Sequence, residues 1–253
     1  MIRIVILGFG NVGQHLFRAF SNSTEIEVIQ IYNRSKIEFP EGLQTNFTTD
    51  VQDVKEADIY IISVPDDSIK YISESIPAFN KLVVHTSGSV SVKDLSSQNW
   101  KGVFYPLQTF SENSEVDFSE IPICIEAERI EDIVLLTKLG ETISNKVQEI
   151  SSVERAKLHL SAVFVNNFVN YLYQVGSDLL LENDMNFDLL KPLIKETARK
   201  IEHLNPESAQ TGPAKRNDKK TIENHLHLLK DSPYKDLYKE LTKAIQDKHK
   251  NSN

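Results

Sequence analysis

Short runs of hydrophobic residues alternate with more polar segments along the first part of the chain. The runs occupy residues 2–7, 27–32, 59–64, 82–85, 103–105, 121–126 and 146–150. Several are apolar at almost every position, as strands buried on both faces of a parallel sheet must be. Between the first two runs, residues 11–20 place their apolar side chains on one helical face. This alternation predicts an α/β fold with a mostly parallel sheet and right-handed crossover connections.

The pattern changes near residue 151, after which no strand-like run appears. Residues 154–183 contain no proline and a single glycine, Gly176, and are predicted to form one long helix. Helical spacing of apolar residues predicts three further helices at 188–204, 218–229 and 233–248. The sequence therefore predicts two domains, an α/β domain at residues 1–151 and an all-α domain at residues 152–253.

The first hydrophobic run leads into a complete G-x-G-x-x-G sequence, followed by a helical pattern. In that context the motif indicates a doubly wound Rossmann domain that binds a dinucleotide. Gly8 permits the tight turn, Gly10 lets the backbone approach a pyrophosphate, and Gly13 lets the helix pack close to the strand. The alternative is a glycine-rich turn that binds nothing. The residues expected to contact the cofactor here are Gly8, Phe9, Gly10, Asn11, Val12 and Gly13.

The end of the second run indicates which dinucleotide is preferred. Enzymes specific for NAD usually have an Asp or Glu there, which binds the ribose 2′-hydroxyl. This chain has Asn33, followed by Arg34 and Ser35. Asparagine does not repel a 2′-phosphate, and arginine can bind that phosphate through two hydrogen bonds. We therefore predict NADP rather than NAD as the cofactor; the alternative is that Arg34 is only a solvated loop residue.

Two later runs end in residues suited to the same site, because ligands of open parallel sheets bind at the carboxyl ends of the strands. Val64 and Pro65 end one run and are expected to contact the cofactor, while Asp66 is expected to cap the helix that follows. Thr86 and Ser87 follow the next run and are also expected at the cofactor. Ser87 is in addition a candidate for the substrate side.

The other substrate-side candidates are polar residues among apolar neighbours. His159, Asn166 and Asn167 lie in a polar stripe on the long predicted helix. The asparagines are expected to bind the substrate or the nicotinamide amide, and His159 is a candidate general acid because imidazole groups titrate near neutral pH. Gln108 follows another run and is expected to orient a ligand or only to satisfy backbone groups. His85 is either a proton donor or a satisfied core residue.

Apart from the polar stripe, the long predicted helix is apolar around most of its circumference, which implies burial on most sides. The stripe then lines a wet cleft or forms hydrogen bonds between helices or subunits. The excess of apolar surface favours a homodimer formed through the C-terminal helices.

The amino-acid composition limits the kinds of molecule that the protein is expected to bind. The chain has 36 acidic and 28 basic residues, a formal charge of −8, which is opposite to that of a protein that coats nucleic acid. A single cysteine excludes an internal disulfide framework and a cysteine-rich zinc site, and we expect no metal. We find neither a secretory signal nor an apolar stretch suited to a membrane, so we expect a cytoplasmic protein that acts on a small molecule.

Taken together, these segments resemble the family of Rossmann-like proteins that carry a C-terminal helical domain of unknown function. That family is related to pyrroline-5-carboxylate reductase, to the deazaflavin-dependent NADP reductases and to 3-hydroxyisobutyrate dehydrogenase. The matching segments are Gly8–Gly13, Val64-Pro65-Asp66, His85-Thr86-Ser87-Gly88, Tyr105-Pro106-Leu107-Gln108-Thr109-Phe110, Ala162-Val163-Phe164, Asn166-Asn167 and Thr211-Gly212-Pro213.

The resemblance implies an N-terminal domain that binds NAD(P), a C-terminal domain like that of 6-phosphogluconate dehydrogenase, and homodimerisation. Related hydroxyacid dehydrogenases use a lysine with an asparagine one helical turn later, whereas here Lys157 is followed at that distance by Ser161. The leading hypothesis is an NADP-dependent oxidoreductase that moves hydride between the nicotinamide and a small C=N or C=O substrate, with C=N weakly favoured. The rivals are a non-catalytic NADP-binding sensor and a structural dimerisation protein.

Overall fold

The computed structural model describes residues 1–39, 42–77, 80–112, 114 and 116–250 of the chain. Residues 1–167 and 168–253 form two compact units. Among the described residues, the first unit is built on an eight-stranded sheet. Its strands are β1 (Ile2–Leu7), β2 (Ile26–Tyr32), β3 (Asn46–Thr48), β4 (Ile59–Ile62), β5 (Leu82–His85), β6 (Trp100–Pro106), β7 (Ile123–Ala127) and β8 (Val147–Glu149).

The strands lie in the order β3-β2-β1-β4-β5-β6-β7-β8. The first six are parallel and have the order of a Rossmann fold, so the predicted doubly wound, mostly parallel sheet is confirmed. β7 runs antiparallel to β6, and β8 is parallel to β7. The sequence analysis did not predict β3, because this short strand has no buried residue and therefore no hydrophobic run.

Within the described residues, the first unit has four α-helices: α1 (Asn11–Ser21), α2 (Asp66–Ser75), α3 (Ile130–Glu141) and α4 (Ser152–Ala162). The second unit contains α5 (Val169–Leu181), α6 (Lys191–Lys200), α7 (Pro206–Ala209), α8 (Lys219–Leu228) and α9 (Lys235–His249). The C-terminal region is thus helical, as predicted. No helix in the described part of the chain is long and apolar enough to cross a membrane.

The hydrophobic core lies on both faces of the sheet. Ile4 and Ile6 of β1 pack in one cluster with residues of α1 and α3, while Val5 and Leu7 pack in a second cluster with residues of α2. Successive strand residues point to opposite faces, so a strand covered by helices on both sides must be apolar throughout. This explains why the hydrophobic runs near the N-terminus are almost uninterrupted, with Arg3 as the exposed exception in β1.

The predicted single helix at 154–183 is divided. A capping box formed by Ser151 and Glu154 starts α4, and a π-helical segment at Val163–Phe168 separates α4 from α5. The expected burial on most sides is wrong for one copy of the chain, because no residue of the π-helical segment or of α5 is buried. Among the described residues of the second unit, Ala214 and Leu229 are the only buried hydrophobic side chains. The apolar side chains of α5 are thus exposed or half-buried in one copy of the chain.

Candidate functional site

The three glycines of the loop between β1 and α1 have different surroundings. Gly8 has a φ of +104°, and a Cβ there would lie 2.2 Å from the carbonyl oxygen of Ser63. A Cβ on Gly13 would lie 2.3 Å from the carbonyl oxygen of Gly8, so α1 packs directly on the loop. A Cβ on Gly10 would meet no atom within 4 Å. Only at Gly10, therefore, does the loop leave open space beside the backbone.

The start of α1 fits an anion. Gly10 is the N-cap residue, no side chain caps the helix, and its first turn contains no acidic residue. The first N–H groups of a helix lack partners within the helix and attract negative charge. The open space at Gly10 and the uncapped start of α1 are features that can receive a phosphate group.

Asn33, directly after β2, is bonded to the glycine loop. Its Oδ1 accepts a hydrogen bond from the backbone N–H of Phe9 at 3.1 Å, and its Nδ2 donates to the carbonyl oxygen of Ser35 at 2.9 Å. The ring of Phe9 is buried and lies 5.8 Å from that of Phe17, so the side chain of Phe9 packs in the core. Arg34 is exposed, and within the described residues its guanidinium has no ion-pair partner.

A first cleft of about 400 Å³ lies at the carboxyl ends of β1, β4, β5 and β6. The strand order reverses between β1 and β4, which is where open α/β sheets bind their ligands. The predicted residues that line this cleft are Gly10, Asn11, Val12, Val64, Pro65, Thr86, Ser87, Gln108 and His159. The predicted residues outside its lining are Gly8, Phe9, Gly13, Asn33, Arg34, Ser35, Asn166 and Asn167.

The turn after β5 is held by Ser87. Its backbone N–H donates to Nδ1 of His85 at 3.1 Å, and its Oγ accepts from the N–H groups of Ser89 and Val90, each at 3.1 Å. The Ser89 hydroxyl donates to Oδ2 of Asp66 at 2.5 Å. Asp66 is the first residue of α2 and Pro65 holds the N-cap position, so the expectation that Asp66 caps this helix is wrong. The polar atoms of Ser87 are mainly engaged in the turn.

His85 is a core residue. It has no exposed surface and does not line the first cleft. Burial, aided by the nearby charge of Arg155, lowers the pKa of His85 to about 4. The ring is therefore neutral at neutral pH. Because it is buried away from this cleft, it has no ligand to which it could donate a proton, which favours the structural interpretation of this residue.

His159 of α4 contacts both β6 and the turn after β5. Its Nδ1 lies 3.1 Å from the hydroxyl of Tyr105. Burial raises the pKa of Tyr105 to about 12, so the hydroxyl keeps its proton at neutral pH and can donate it to this nitrogen. A Cβ on Gly88 would lie 2.5 Å from the same nitrogen, which explains the glycine of the His-Thr-Ser-Gly segment. Sequence reasoning had not selected Tyr105 as a site residue, because a strand tyrosine between apolar residues has the pattern of a core residue.

A second cleft of about 360 Å³ lies between the end of β6 and the helical residues that follow 157. Tyr105, Gln108 and His159 line both clefts and so form a shared wall. Asn166 and Asn167 line the second cleft only, and both side chains are exposed. They belong to the π-helical segment, a type of distortion that occurs often at functional sites.

Arg155 is a site-supporting residue that sequence reasoning missed. It is completely buried, with its guanidinium 2.5 Å from Oε2 of Glu126, 2.5 Å from the carbonyl oxygen of Val90 and 3.1 Å from Oγ of Ser152. These bonds tie α4 to β7 and to the turn after β5. Because Arg155 precedes His159 by one helical turn, the same bonds fix the position of His159 within the shared wall. The capping box at the start of α4 predicts the helix but not this burial.

The doubly wound sheet, the glycine loop and the cleft at its switch point define a Rossmann domain of the dinucleotide-binding class. Consistently, residues 3–88 match the family model of the coenzyme F420-dependent NADP oxidoreductases. Residues 121–245 match the model of a domain of unknown function, DUF2520. No curated protein matches the chain.

Solved structures extend this similarity to nearly the whole chain. The putative NADP oxidoreductase BF3122 of Bacteroides fragilis is 38% identical, with 97% of this chain and 98% of that chain covered and a TM-score of 0.88. The chain therefore belongs to the same family as that protein, with an N-terminal NADP oxidoreductase domain and the C-terminal DUF2520 domain.

Two more distant structures share the fold. Protein TM1727 of Thermotoga maritima is 22% identical, with 98% of this chain and 100% of that chain covered and a TM-score of 0.79. The pyrroline carboxylate reductase of Plasmodium falciparum, solved with NADP bound, is 14% identical, with 97% and 100% covered and a TM-score of 0.60.

Proposed function

We propose that this protein is an NADP-dependent oxidoreductase that transfers hydride between the nicotinamide and a small C=N or C=O substrate. The observation that carries the proposal is the shared wall of Tyr105, Gln108 and His159. Tyr105 and His159 form a hydrogen-bonded pair that is able to move a proton. This pair lies between a cleft suited to a dinucleotide and a second cleft of suitable size for a small molecule. The family membership supports the same class of activity.

The residues around the first cleft fit the cofactor. The open space at Gly10 and the uncapped start of α1 would receive the pyrophosphate, with Asn11 and Val12 in the first helical turn. Val64, Pro65 and Thr86 would form the wall farther along the strand ends. When bound in its reduced form, the nicotinamide supplies the hydride and is itself oxidised.

On the substrate side, the protein's own groups would handle a proton. Carbon of the substrate gains a hydride, and the nitrogen or oxygen that was doubly bonded to it needs a proton. With Tyr105 donating to Nδ1, the ring proton of His159 lies on Nε2. Nε2 would deliver that proton to the substrate as Nδ1 takes the hydroxyl proton of Tyr105, and water would then return a proton to the Tyr105 oxygen. Gln108, Asn166 and Asn167 would orient the substrate through their amide groups. Ser87 would act mainly by holding the turn that lines the cofactor cleft.

The choice of NADP over NAD is part of the proposal. Asn33 replaces the usual acid and is occupied with the loop, while Arg34 and Ser35 are exposed beside it. Arg34→Glu should reduce NADPH affinity far more than NADH affinity, because it replaces the phosphate partner by a repelling charge. Arg18→Glu, in the last turn of α1, is the matched control. Equal losses of both affinities in Arg34→Glu would contradict this assignment.

We further propose that residues 152–253 provide dimer contacts and that the protein works as a cytoplasmic homodimer. The exposed apolar side chains of the C-terminal helices support the dimer, among them Tyr171, Leu172 and Leu181. A single buried cysteine, Cys124, is compatible with a reducing compartment. Sedimentation of the purified chain tests the dimer.

The activity is tested by following NADPH oxidation with a panel of cyclic and open-chain imines, ketones and aldehydes. We expect turnover of at least one class, and loss of it in His159→Gln. Tyr71→Phe on α2, which is exposed and lies outside both clefts, is a control variant. NADPH binding without turnover across the whole panel would instead support the rival function, a non-catalytic sensor.

A further inference from the structure

The second cleft differs from the first in its charge. Its walls are the end of β6 with the residues after it, and the helical residues 158–167. Leu107, Leu158, Ala162, Val163 and Val165 give it an apolar surface. Among the described residues, no Asp, Glu, Lys or Arg lines this cleft. Its polar groups, apart from the imidazole of His159, are amides and hydroxyls, all of which are neutral.

An anionic group would be poorly accommodated there. A carboxylate that leaves water for an apolar cleft loses its hydration and needs a cation to compensate. The nearest lysine in sequence, Lys157, is exposed and does not line the cleft. By contrast, an uncharged apolar compound would gain from the aliphatic side chains and find hydrogen-bond partners in Gln108, Asn166 and Asn167.

We infer that the substrate held in the second cleft is an uncharged carbonyl or imine compound with an apolar body, and not an amino-acid-derived carboxylate. This inference rests on the proposed function. The C=O or C=N group would lie at the shared wall, where Tyr105 and His159 meet, and the apolar body would extend along the helix towards Val163 and Val165. Reduction adds hydride to carbon at the expense of the reduced dinucleotide and places a proton on oxygen or nitrogen.

Matched substrate pairs test this inference. Each pair consists of a keto acid, or the corresponding imino acid, and its neutral amide. We expect kcat/KM with NADPH to be about tenfold or more higher for the neutral member, as for a site that leaves a charge unpaired. A higher value for the carboxylates would overturn the inference and leave the proposed function intact.

Binding measured without turnover separates the two proposals. Calorimetry of the protein–NADPH complex with a non-reducible alcohol amide and the matching hydroxy acid reports the charge preference alone. Absence of turnover for every pair would contradict the proposed function, while tighter binding of the amide would still support the neutral cleft. Equal binding of the two compounds, or tighter binding of the acid, would overturn the inference that the second cleft prefers an uncharged compound.

A charge placed in the cleft gives an independent test. Ser161 is exposed and lines the second cleft, so Ser161→Lys brings a cation to its wall. We expect the ratio of kcat/KM for acid over amide to rise about three- to fivefold, the effect of a partly exposed ion pair. Val153→Lys is the matched control, since Val153 is exposed on the same helix but outside the cleft. An unchanged ratio in Ser161→Lys would contradict the inference.

Discussion

Replacing Gly10 by alanine separates dinucleotide binding from folding. An added Cβ at this position meets no atom within 4 Å, and the backbone φ of −73° suits any L-residue. The methyl group would occupy the space into which a pyrophosphate has to approach. We therefore expect Gly10→Ala to fold normally and to bind NADPH poorly.

The magnitudes follow from this geometry. Alanine at an N-cap loses about 0.5 kcal/mol relative to glycine, and the smaller entropy of the unfolded chain returns a similar amount. The free energy of unfolding should then stay within about 0.5 kcal/mol of wild type. The displaced pyrophosphate should cost at least about 1.4 kcal/mol of binding, a tenfold rise in Kd.

Gly8→Ala is the matched comparison. Its φ of +104° is unfavourable for alanine, and its Cβ would lie 2.2 Å from the Ser63 carbonyl oxygen. Positive φ costs about 1–2 kcal/mol and overpacking about 1–3 kcal/mol more, so we expect a destabilisation of about 2–5 kcal/mol. Urea unfolding and calorimetric titration with NADPH measure both effects. A Gly10→Ala protein with wild-type NADPH affinity would refute the assignment of the loop.

Three further predictions concern the shared wall and its supports. Tyr105→Phe should lower kcat about 10- to 100-fold while leaving the Kd for NADPH within about twofold, because it removes the proton that orients His159; steady-state kinetics and calorimetry measure the two effects. Glu126→Gln leaves the buried charge of Arg155 without its partner and should reduce the free energy of unfolding by about 3 kcal/mol. Adding Arg155→Met should recover part of this loss, and urea unfolding of the single and double variants measures both effects. The pKa of His85 is lowered from 6.5 to about 4, so its neutral form contributes stability above pH 6.5 that is lost as the pH falls towards 4. The loss should reach about 2–3 kcal/mol. Urea unfolding between pH 6.5 and 4 should show that the free energy of unfolding depends less steeply on pH in His85→Asn than in the wild type.

Each of these has a contradicting outcome. Parallel loss of turnover and cofactor affinity in Tyr105→Phe would indicate a structural role only. A cost below about 1 kcal/mol for Glu126→Gln would mean that water compensates the arginine. Identical pH dependence in wild type and His85→Asn would show that other groups control acid stability.

The parts of this fold that were predictable from sequence are those set by local pattern. The runs of β1, β4 and β5 are apolar because both faces of each strand are covered. Gly8 is required by its backbone conformation and close contacts, and Gly13 by its close contacts. The π-helical segment was not predictable, since nothing in the composition of residues 163–168 departs from an ordinary helix.

The site residues that sequence reasoning missed depend on distant contacts. Arg155 is buried because Glu126 and Val90, 29 and 65 residues away in the chain, supply its partners. Tyr105 acquires its role from a histidine 54 residues later. No local sequence pattern predicts such long-range contacts. His159 and Gln108 could be selected from the sequence because each is polar among apolar neighbours.

The central claim is that the loop after β1 and the end of β2 bind NADP. Calorimetric titration of the purified chain with NADPH and, separately, with NADH tests it most directly. We expect one site per chain and a Kd for NADPH at least about tenfold lower than for NADH, the contribution of one charge-assisted phosphate contact. Absence of binding heat for both dinucleotides, confirmed by an unchanged melting temperature, would contradict it.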